Sequence, residues 1–242
     1  MDSDMNENKE SKNILQDNSG AAIVTVIVVS AFISIIATTM IYIAARNYMS
    51  KQTDYQNKIS FYEAEEVLDK LKAYLIDDVS DGFEYAYADT MANYIDHMGT
   101  PNAENYYAKS YTERLKEIWS KRETAAIPAD ASTSKLTQAV RNFIIEKLQE
   151  DGYTTEEAQA IAERIRSVER CDVPPAKDKF ILVGVKAVYE PENGYSTYIY
   201  TDIGLELPEF YVQGMPEAEE RAGKQLELAE CVKYMNWKRY DD

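Results

Sequence analysis

Residues 21–45 read AAIVTVIVVSAFISIIATTMIYIAA, and no charged residue interrupts this apolar run. From residue 21 to residue 81 the chain also has no glycine or proline, so the sequence predicts one continuous helix through the apolar run and beyond it. At 1.5 Å per residue the apolar part extends roughly 37 Å, enough to cross a bilayer with some tilt. We therefore expect residues 21–45 to span a membrane once and residues 46–81 to continue as an amphipathic helix in water.

A polar segment, residues 1–20, precedes the apolar run and ends in Asn18-Ser19-Gly20. A cleaved secretory signal would have an apolar region of about 7–15 residues and a basic flank before it. Here the apolar run is longer and the flank is acidic. Its charged residues are Asp2, Asp4, Glu7, Glu10 and Asp17, with Lys9 and Lys12. Two interpretations remain open: a leader that is removed at the junction, or the flank of a permanent signal anchor.

Two features of this sequence are found together in one protein family. The junction Gly20-Ala21 joins a polar leader to a long apolar run, and an aromatic-Ala-Glu motif follows on the same predicted helix. The motif consists of Phe61, Tyr62, Ala64 and Glu65. With both features the chain resembles type IV pilins and pseudopilins, in particular the X-type minor pilins and the K-type minor pseudopilins. The resemblance implies that a prepilin peptidase cuts after Gly20 and that the mature chain starts at Ala21. It also implies other pilin or pseudopilin subunits and membrane lipid as partners, and no cofactor.

The fifth mature position departs from the major pilins, which carry a glutamate there. This chain has Thr25, which supplies no charge to pair with the amino terminus of a neighbouring subunit. K-type tip pseudopilins also lack that glutamate, so the resemblance implies a place at the tip of the filament.

The charges that flank the apolar run bear on membrane orientation. Lys9 and Lys12 precede it, whereas Arg46, Lys51 and Lys58 follow it. The positive-inside rule therefore leans by one charge toward a cytoplasmic C-terminal domain. The pilin resemblance implies the opposite orientation, a single-pass cell-membrane protein with an extracytoplasmic C-terminal domain. We adopt this second orientation as the expectation.

Beyond the membrane segment the pattern predicts helices. Over residues 58–76 apolar side chains recur every three or four positions, which predicts one buried helix face. These are Phe61, Ala64, Leu68, Leu71 and Leu75. Gly82 is expected to end this helix. A second amphipathic helix covers residues 136–148, and Thr154 with Glu157 forms a capping-box pattern that opens a third. By resemblance, these helices form an inserted helical subdomain like that of K-type pseudopilins.

The pattern then changes to strands. Residues 179–189 and 195–205 are rich in β-branched and aromatic side chains and flank an Asn-Gly pair, which predicts an antiparallel hairpin. Residues 217–237 are expected to form a last helix carrying Leu226, Leu228, Val232 and Met235. The predicted fold is α+β, with the long helix packed on a small antiparallel sheet. Its segments are the leader 1–20, the membrane segment 21–45, the amphipathic helix 46–81, a mainly helical insertion 82–170, and the hairpin and C-terminal helix 171–242.

Composition narrows the possible partners. The chain of 242 residues has a net charge of −16, so it would repel nucleic acid, and we expect no such partner.

A group of tyrosines after Gly82 is expected to pack in the core with the hydroxyls reaching water, with adhesion as the alternative. They are Tyr85, Tyr87, Tyr94, Tyr106, Tyr107 and Tyr111.

Catalytic and metal signals are weak. His97 is the only histidine and has no nucleophile motif near it, so we predict no enzyme activity and no catalytic residues. A calcium site at Asp77, Asp78, Asp81 and Glu84 lacks the ligand spacing of an EF-hand, so no metal is expected. Cys171 and Cys231 are the only cysteines and form a possible disulfide if the domain is extracytoplasmic.

These expectations converge on a subunit that works by assembly and not by chemistry. It would be cut after Gly20 and packed through its apolar helix into a type IV pilus or a filament like that of type II secretion. The competing classes are an unprocessed, membrane-anchored binding or adhesion domain and an anchored enzyme dependent on His97.

Overall fold

The computed structural model describes residues 4–93, 102–128, 130–174, 179–191, 195–208 and 228–241. Side chains are described from residue 20 in the first range, from residue 106 in the second, and up to residue 240 in the last. The chain divides into an N-terminal unit, Met1–Tyr55, and an α+β unit, Gln56–Asp242. One helix, α1 (Asp4–Ala92), contributes its first part to the N-terminal unit and its second part to the α+β unit.

The prediction that this helix ends before Gly82 is wrong, because α1 continues to Ala92. Gly82 is buried, and a Cβ atom at this position would lie 2.9 Å from Cε2 of Tyr111 and 3.3 Å from Cδ2 of Leu115. The missing side chain therefore lets another helix approach α1 closely. The boundary predicted between residues 81 and 82 consequently lies inside α1.

Within the residues that the structure describes, the α+β unit also contains the helices α2 (Asn102–Ala125), α3 (Lys135–Glu150) and α4 (Thr155–Glu163). The two helices predicted around Gly152 are confirmed as α3 and α4. Ser134 caps α3 by accepting a hydrogen bond from the Thr137 backbone N–H. The capping box predicted at α4 is present with both of its reciprocal hydrogen bonds, between Thr154 and Glu157. These helices pack into the same core as the sheet.

In the part of the chain that the structure describes, five antiparallel strands form one sheet. They are β1 (Ile165–Ser167), β2 (Arg170–Asp172), β3 (Lys179–Tyr189), β4 (Thr197–Glu206) and β5 (Val232–Asp241). The order is β1-β3-β4-β5, and β2 also pairs with β3. The predicted hairpin is confirmed as β3 and β4, whose pairing runs from Lys179 opposite Glu206 to Tyr189 opposite Thr197. Its Asn-Gly turn lies outside the described residues.

The predicted C-terminal helix 217–237 is wrong from Val232 onward, because residues 232–241 form strand β5 along β4. Residues 228–230 are helical, and residues 217–227 lie outside the described residues. Val232 pairs with Leu205, and both are buried. The ladder shifts register between Tyr200 and Asp202, and Asn236 adopts a positive φ of 56° at this bulge. A bulge interrupts the two-residue alternation of a strand, so the sequence pattern here does not look like one.

Helix α1 packs on the sheet within the α+β unit, as predicted. Four members of the predicted stripe, Ala64, Leu68, Leu71 and Leu75, are fully buried. On β5, the Tyr234 hydroxyl donates to the Asp69 carboxylate at 2.9 Å, and the Arg239 guanidinium lies over the Phe61 ring, 4.6 Å from its centre. The fold is therefore α+β, with a long N-terminal helix, apolar at its start, and a small antiparallel sheet.

Candidate membrane-spanning segment and processing site

The side chains of residues 21–45 are exposed throughout. Large apolar groups such as Ile23, Met40 and Ile41 are 62%, 66% and 70% exposed. In the described part of the chain, α1 from Gly20 onward is the one helix long and apolar enough to cross a membrane, and none of its apolar window is buried against the protein. A contiguous apolar surface of this size fits lipid or another apolar partner.

The hydroxyl groups of this segment are satisfied inside the helix. Thr25 Oγ1 donates to the Ala21 carbonyl at 2.9 Å, and Ser34 Oγ donates to the Ser30 carbonyl at 2.8 Å. Ser30, Thr38 and Thr39 donate to carbonyls three or four residues earlier in the same way. Unpaired hydroxyls are costly in hydrocarbon, so these bonds make the five serine and threonine residues of the segment compatible with a bilayer.

The Gly20–Ala21 junction lies within α1. Gly20 is exposed, and a Cβ atom at this position would meet nothing within 4 Å. No packing contact in the described structure therefore requires glycine here, in contrast to Gly82. Thr25, at the fifth mature position, uses its hydroxyl within its own helix.

The aromatic-Ala-Glu motif lies on α1 in the α+β unit and takes part in packing. Ala64 is fully buried, and Phe61 lies under Arg239. Tyr62 is 63% exposed and meets the Phe61 ring edge-on, with ring centres 5.6 Å apart. The pKa of Glu65 is raised by partial burial and then by the nearby Asp69 carboxylate. Phe61 and Ala64 thus have a structural role, and Tyr62 is the member available to a partner.

Three of the four carboxylates weighed as a calcium site, those of Asp77, Asp78 and Asp81, form ion pairs. Asp77 pairs with Lys147 at 3.0 Å, and Asp81 pairs with Arg114 at 3.0 Å. Asp78 is 4% exposed, and its carboxylate accepts hydrogen bonds from both terminal nitrogens of Arg122. These three carboxylates fasten α1 to α2 and α3.

The tyrosines after Gly82 divide between core and surface. Tyr107 and Tyr111 are buried, and their hydroxyls donate to the carbonyls of Pro208 and Glu206 rather than reaching water. Tyr106 donates to Asp89 at 2.9 Å. Core packing is confirmed for Tyr107 and Tyr111, whereas the expectation that their hydroxyls reach water is wrong for both. By contrast, Tyr85 is 46% exposed, and Tyr94 lies outside the described residues.

The two cysteines, both described, are not joined in a disulfide. Cys171 lies on β2, and Cys231 immediately precedes β5. Strands β3 and β4 separate those two strands, a distance of about 14 Å at 4.7–4.9 Å per strand, whereas a disulfide requires Cα atoms within about 7 Å. Burial raises the pKa of the Cys171 thiol to about 12. The possible disulfide is therefore a wrong prediction for this fold.

His97 lies outside the described residues, so the enzyme alternative stays a hypothesis. Among the described residues, no group of three or more His, Cys, Asp or Glu side chains is arranged to hold a metal ion. Sequence reasoning missed two polar residues that organise the fold. One is Arg122, and the other is Asp202, which accepts hydrogen bonds from the Gly184 N–H and from the Asn236 amide. Their partners are distant in sequence, so no local motif marks them.

No protein-family model, no curated protein and no solved structure matches the chain.

Proposed function

We propose that the protein is a non-catalytic minor subunit of the type IV pilin and pseudopilin kind, anchored in the cell membrane by residues 21–45. One observation carries the proposal: a single helix, α1, supplies both an exposed apolar run and the buried stripe of an α+β unit that has an antiparallel sheet. The first part fits lipid, and the second part packs the folded domain.

Processing and assembly are the next elements of the proposal. A prepilin peptidase removes the leader after Gly20, and the mature chain begins at Ala21. Subunits then associate through the apolar helix in lipid, where small side chains allow close approach. These are Ala22, Ala31, Ser34 and Ala37. Thr25 lacks the carboxylate that would pair with the amino terminus of a neighbouring subunit. We therefore place this subunit at the filament tip, where no subunit lies ahead of it.

The C-terminal domain is extracytoplasmic in this proposal, and α2, α3 and α4 correspond to the inserted helical subdomain of K-type pseudopilins. The second candidate is an unprocessed, single-pass protein with an extracytoplasmic binding domain. The acidic leader favours this candidate, because it differs from the basic leader of most pilins.

N-terminal sequencing and intact-mass measurement of the membrane-extracted chain, co-expressed with a prepilin peptidase, test the proposal. We expect a chain that starts at Ala21. Gly20→Val should abolish cleavage, and because a side chain at Gly20 meets nothing within 4 Å, the fold should not be affected. The matched control is Ala37→Val, at another exposed position of the same helix, which should still be cut. A chain that keeps its leader beside an active peptidase would refute processing and favour the unprocessed anchor.

A further inference from the structure

At the C-terminal end of the apolar run, tyrosines and cations alternate along the helix. Tyr42 and Arg46 are in contact, and Tyr48 and Lys51 follow as a second tyrosine and cation three residues apart in sequence. We call these four residues the cationic collar. All four are exposed, Tyr42 by 58% and Tyr48 by 70%. Aromatic side chains with a polar tip, followed by cations, are typical of the zone where a helix leaves hydrocarbon and enters the headgroup layer.

The contact between Tyr42 and Arg46 has a defined geometry. Arg46 Nε donates to the Tyr42 hydroxyl at 3.0 Å, and the guanidinium lies 5.4 Å from the centre of the Tyr42 ring. This contact uses one nitrogen and leaves the two terminal nitrogens, which match the oxygens of a phosphate group. Arg46 forms no ion pair with a carboxylate of the described residues. The tyrosine therefore holds the guanidinium beside the helix without neutralising it.

The second tyrosine and cation lie on a different side of α1. At 100° per residue, Arg46 and Lys51 are roughly 140° apart around the helix, and Tyr48 lies on the side of Lys51. No carboxylate of the described residues pairs with Lys51 either. The two cations are thus placed to contact two different lipid molecules.

Charge along the chain shows which lipid fits. Residues 46–53 carry Arg46 and Lys51 and no acidic residue, and Asp54 is the next acid. The other flank of the apolar run has Asp17 and no cation after Lys12. The whole chain has a net charge of −16, so these two cations are a local exception. Charges of this kind attract anionic headgroups over a distance of about a Debye length.

We propose that the cationic collar binds the phosphate groups of anionic phospholipids in the leaflet that it enters. The proposal rests on the membrane-anchoring part of the proposed function and not on processing, because a chain that keeps its leader has the same collar. One Lys or Arg near an anionic surface increases the affinity for that surface by about fivefold. Averaged over all lipids that border the helix, we expect a preference of about twofold or more.

The test uses the full-length protein reconstituted in phosphatidylcholine bilayers that contain trace spin-labelled phosphatidylglycerol or spin-labelled phosphatidylcholine. Electron spin resonance measures the fraction of each label whose motion the protein restricts. We expect phosphatidylglycerol to be restricted more, and this preference to fall at high salt. Arg46→Gln combined with Lys51→Gln should remove it.

The matched control is Lys116→Gln, which removes one exposed positive charge from the α+β unit and should leave the preference unchanged. Equal restriction of the two labels by the unaltered protein would overturn the proposal, and so would an equal loss in the control. Either result would favour an acidic segment of another protein as the partner of the two cations. A chain that fails to float with the vesicles would refute membrane anchoring itself, which separates that failure from a failure of lipid selectivity.

Discussion

Asp78 shows how a single buried charge can oppose the stability that its contacts provide. Its carboxylate receives both terminal nitrogens of Arg122, whose guanidinium also lies 4.1 Å from the centre of the Phe143 ring. Burial nevertheless raises the pKa of Asp78 above its usual 3.8, Arg122 lowers it in part, and the neighbouring Asp77 and Asp81 raise it further. The desolvation of a buried ion pair commonly outweighs its attraction in this way.

The raised pKa of Asp78 predicts a stability that grows toward acid pH. A carboxyl whose pKa is higher in the folded state than in the unfolded state binds its proton more tightly when folded. Its contribution is therefore most favourable at low pH and declines as pH rises through the folded-state pKa. We expect the unfolding free energy of the unaltered protein, relative to Asp78→Asn, to increase between pH 7 and pH 4. Urea unfolding in detergent at several pH values measures this difference.

The matched control is Asp130→Asn. Hydrogen bonds from Ser132 and Thr133 lower the pKa of Asp130 to about 2, so its contribution is present above the usual 3.8 and is lost only as pH falls toward 2. The difference for this variant should be flat between pH 7 and pH 5. If the Asp78 difference instead shrank toward acid pH, Arg122 would be stabilising the anion more than burial opposes it.

Among the helices and strands, sequence patterns predicted the elements that neighbouring residues determine. They missed the elements that depend on contacts between residues distant in sequence. Strand β3 matches the predicted 179–189 because it is a run of β-branched and aromatic side chains that the Asn-Gly pair follows, although its own ladder with β4 shifts register between Leu182 and Val185. Helix α4 begins at the predicted capping box, whose two partners are three residues apart. Strand β5 was missed because its Asn236 bulge breaks the alternation, and that bulge is held by Asp202 on β4. The exposed apolar run of residues 21–45 was predictable from composition alone, whereas the cation partners of Asp77, Asp78 and Asp81 were not.

Helix α1 supplies a test of close packing at Gly82. The Cβ atom of Gly82→Ala would lie 2.9 Å from Tyr111, which is buried and whose hydroxyl is bonded to the Glu206 carbonyl. This ring has little freedom to move, so we expect a loss of about 1–3 kcal/mol in unfolding free energy. Helix propensity alone predicts a gain of about 1 kcal/mol from the same change. Urea unfolding in detergent distinguishes the two signs.

The control for propensity is Ala73→Gly, at an exposed position of the same helix. It should cost about 1 kcal/mol, the reverse of the propensity gain expected at Gly82. If Gly82→Ala were stabilising by that amount, the contact with Tyr111 would be soft and the glycine would not be required for the approach of α2.

At the scale of the whole molecule, the core lies entirely in the α+β unit. Its buried hydrophobic residues begin at Ala64, and none of those described belongs to the N-terminal unit. The second part of α1 is nonetheless indispensable to this core. It contributes the fully buried Ala64, Val67, Leu68, Leu71, Leu75 and Val79. Burial of three leucines and two valines stabilises a domain by about 10 kcal/mol, which is comparable to its total stability.

Two truncations test this division of the chain. We expect a fragment of residues 56–242 to fold without detergent, with far-UV circular dichroism typical of an α+β protein and a cooperative urea transition, since it keeps every described core residue. A fragment of residues 93–242 should be unfolded, because it loses the buried face of α1 and uncovers the apolar side chains of the sheet and of α2. A stable second fragment would show that α1 is dispensable to the core. An unfolded first fragment would show that the stability of the α+β unit depends on residues 1–55.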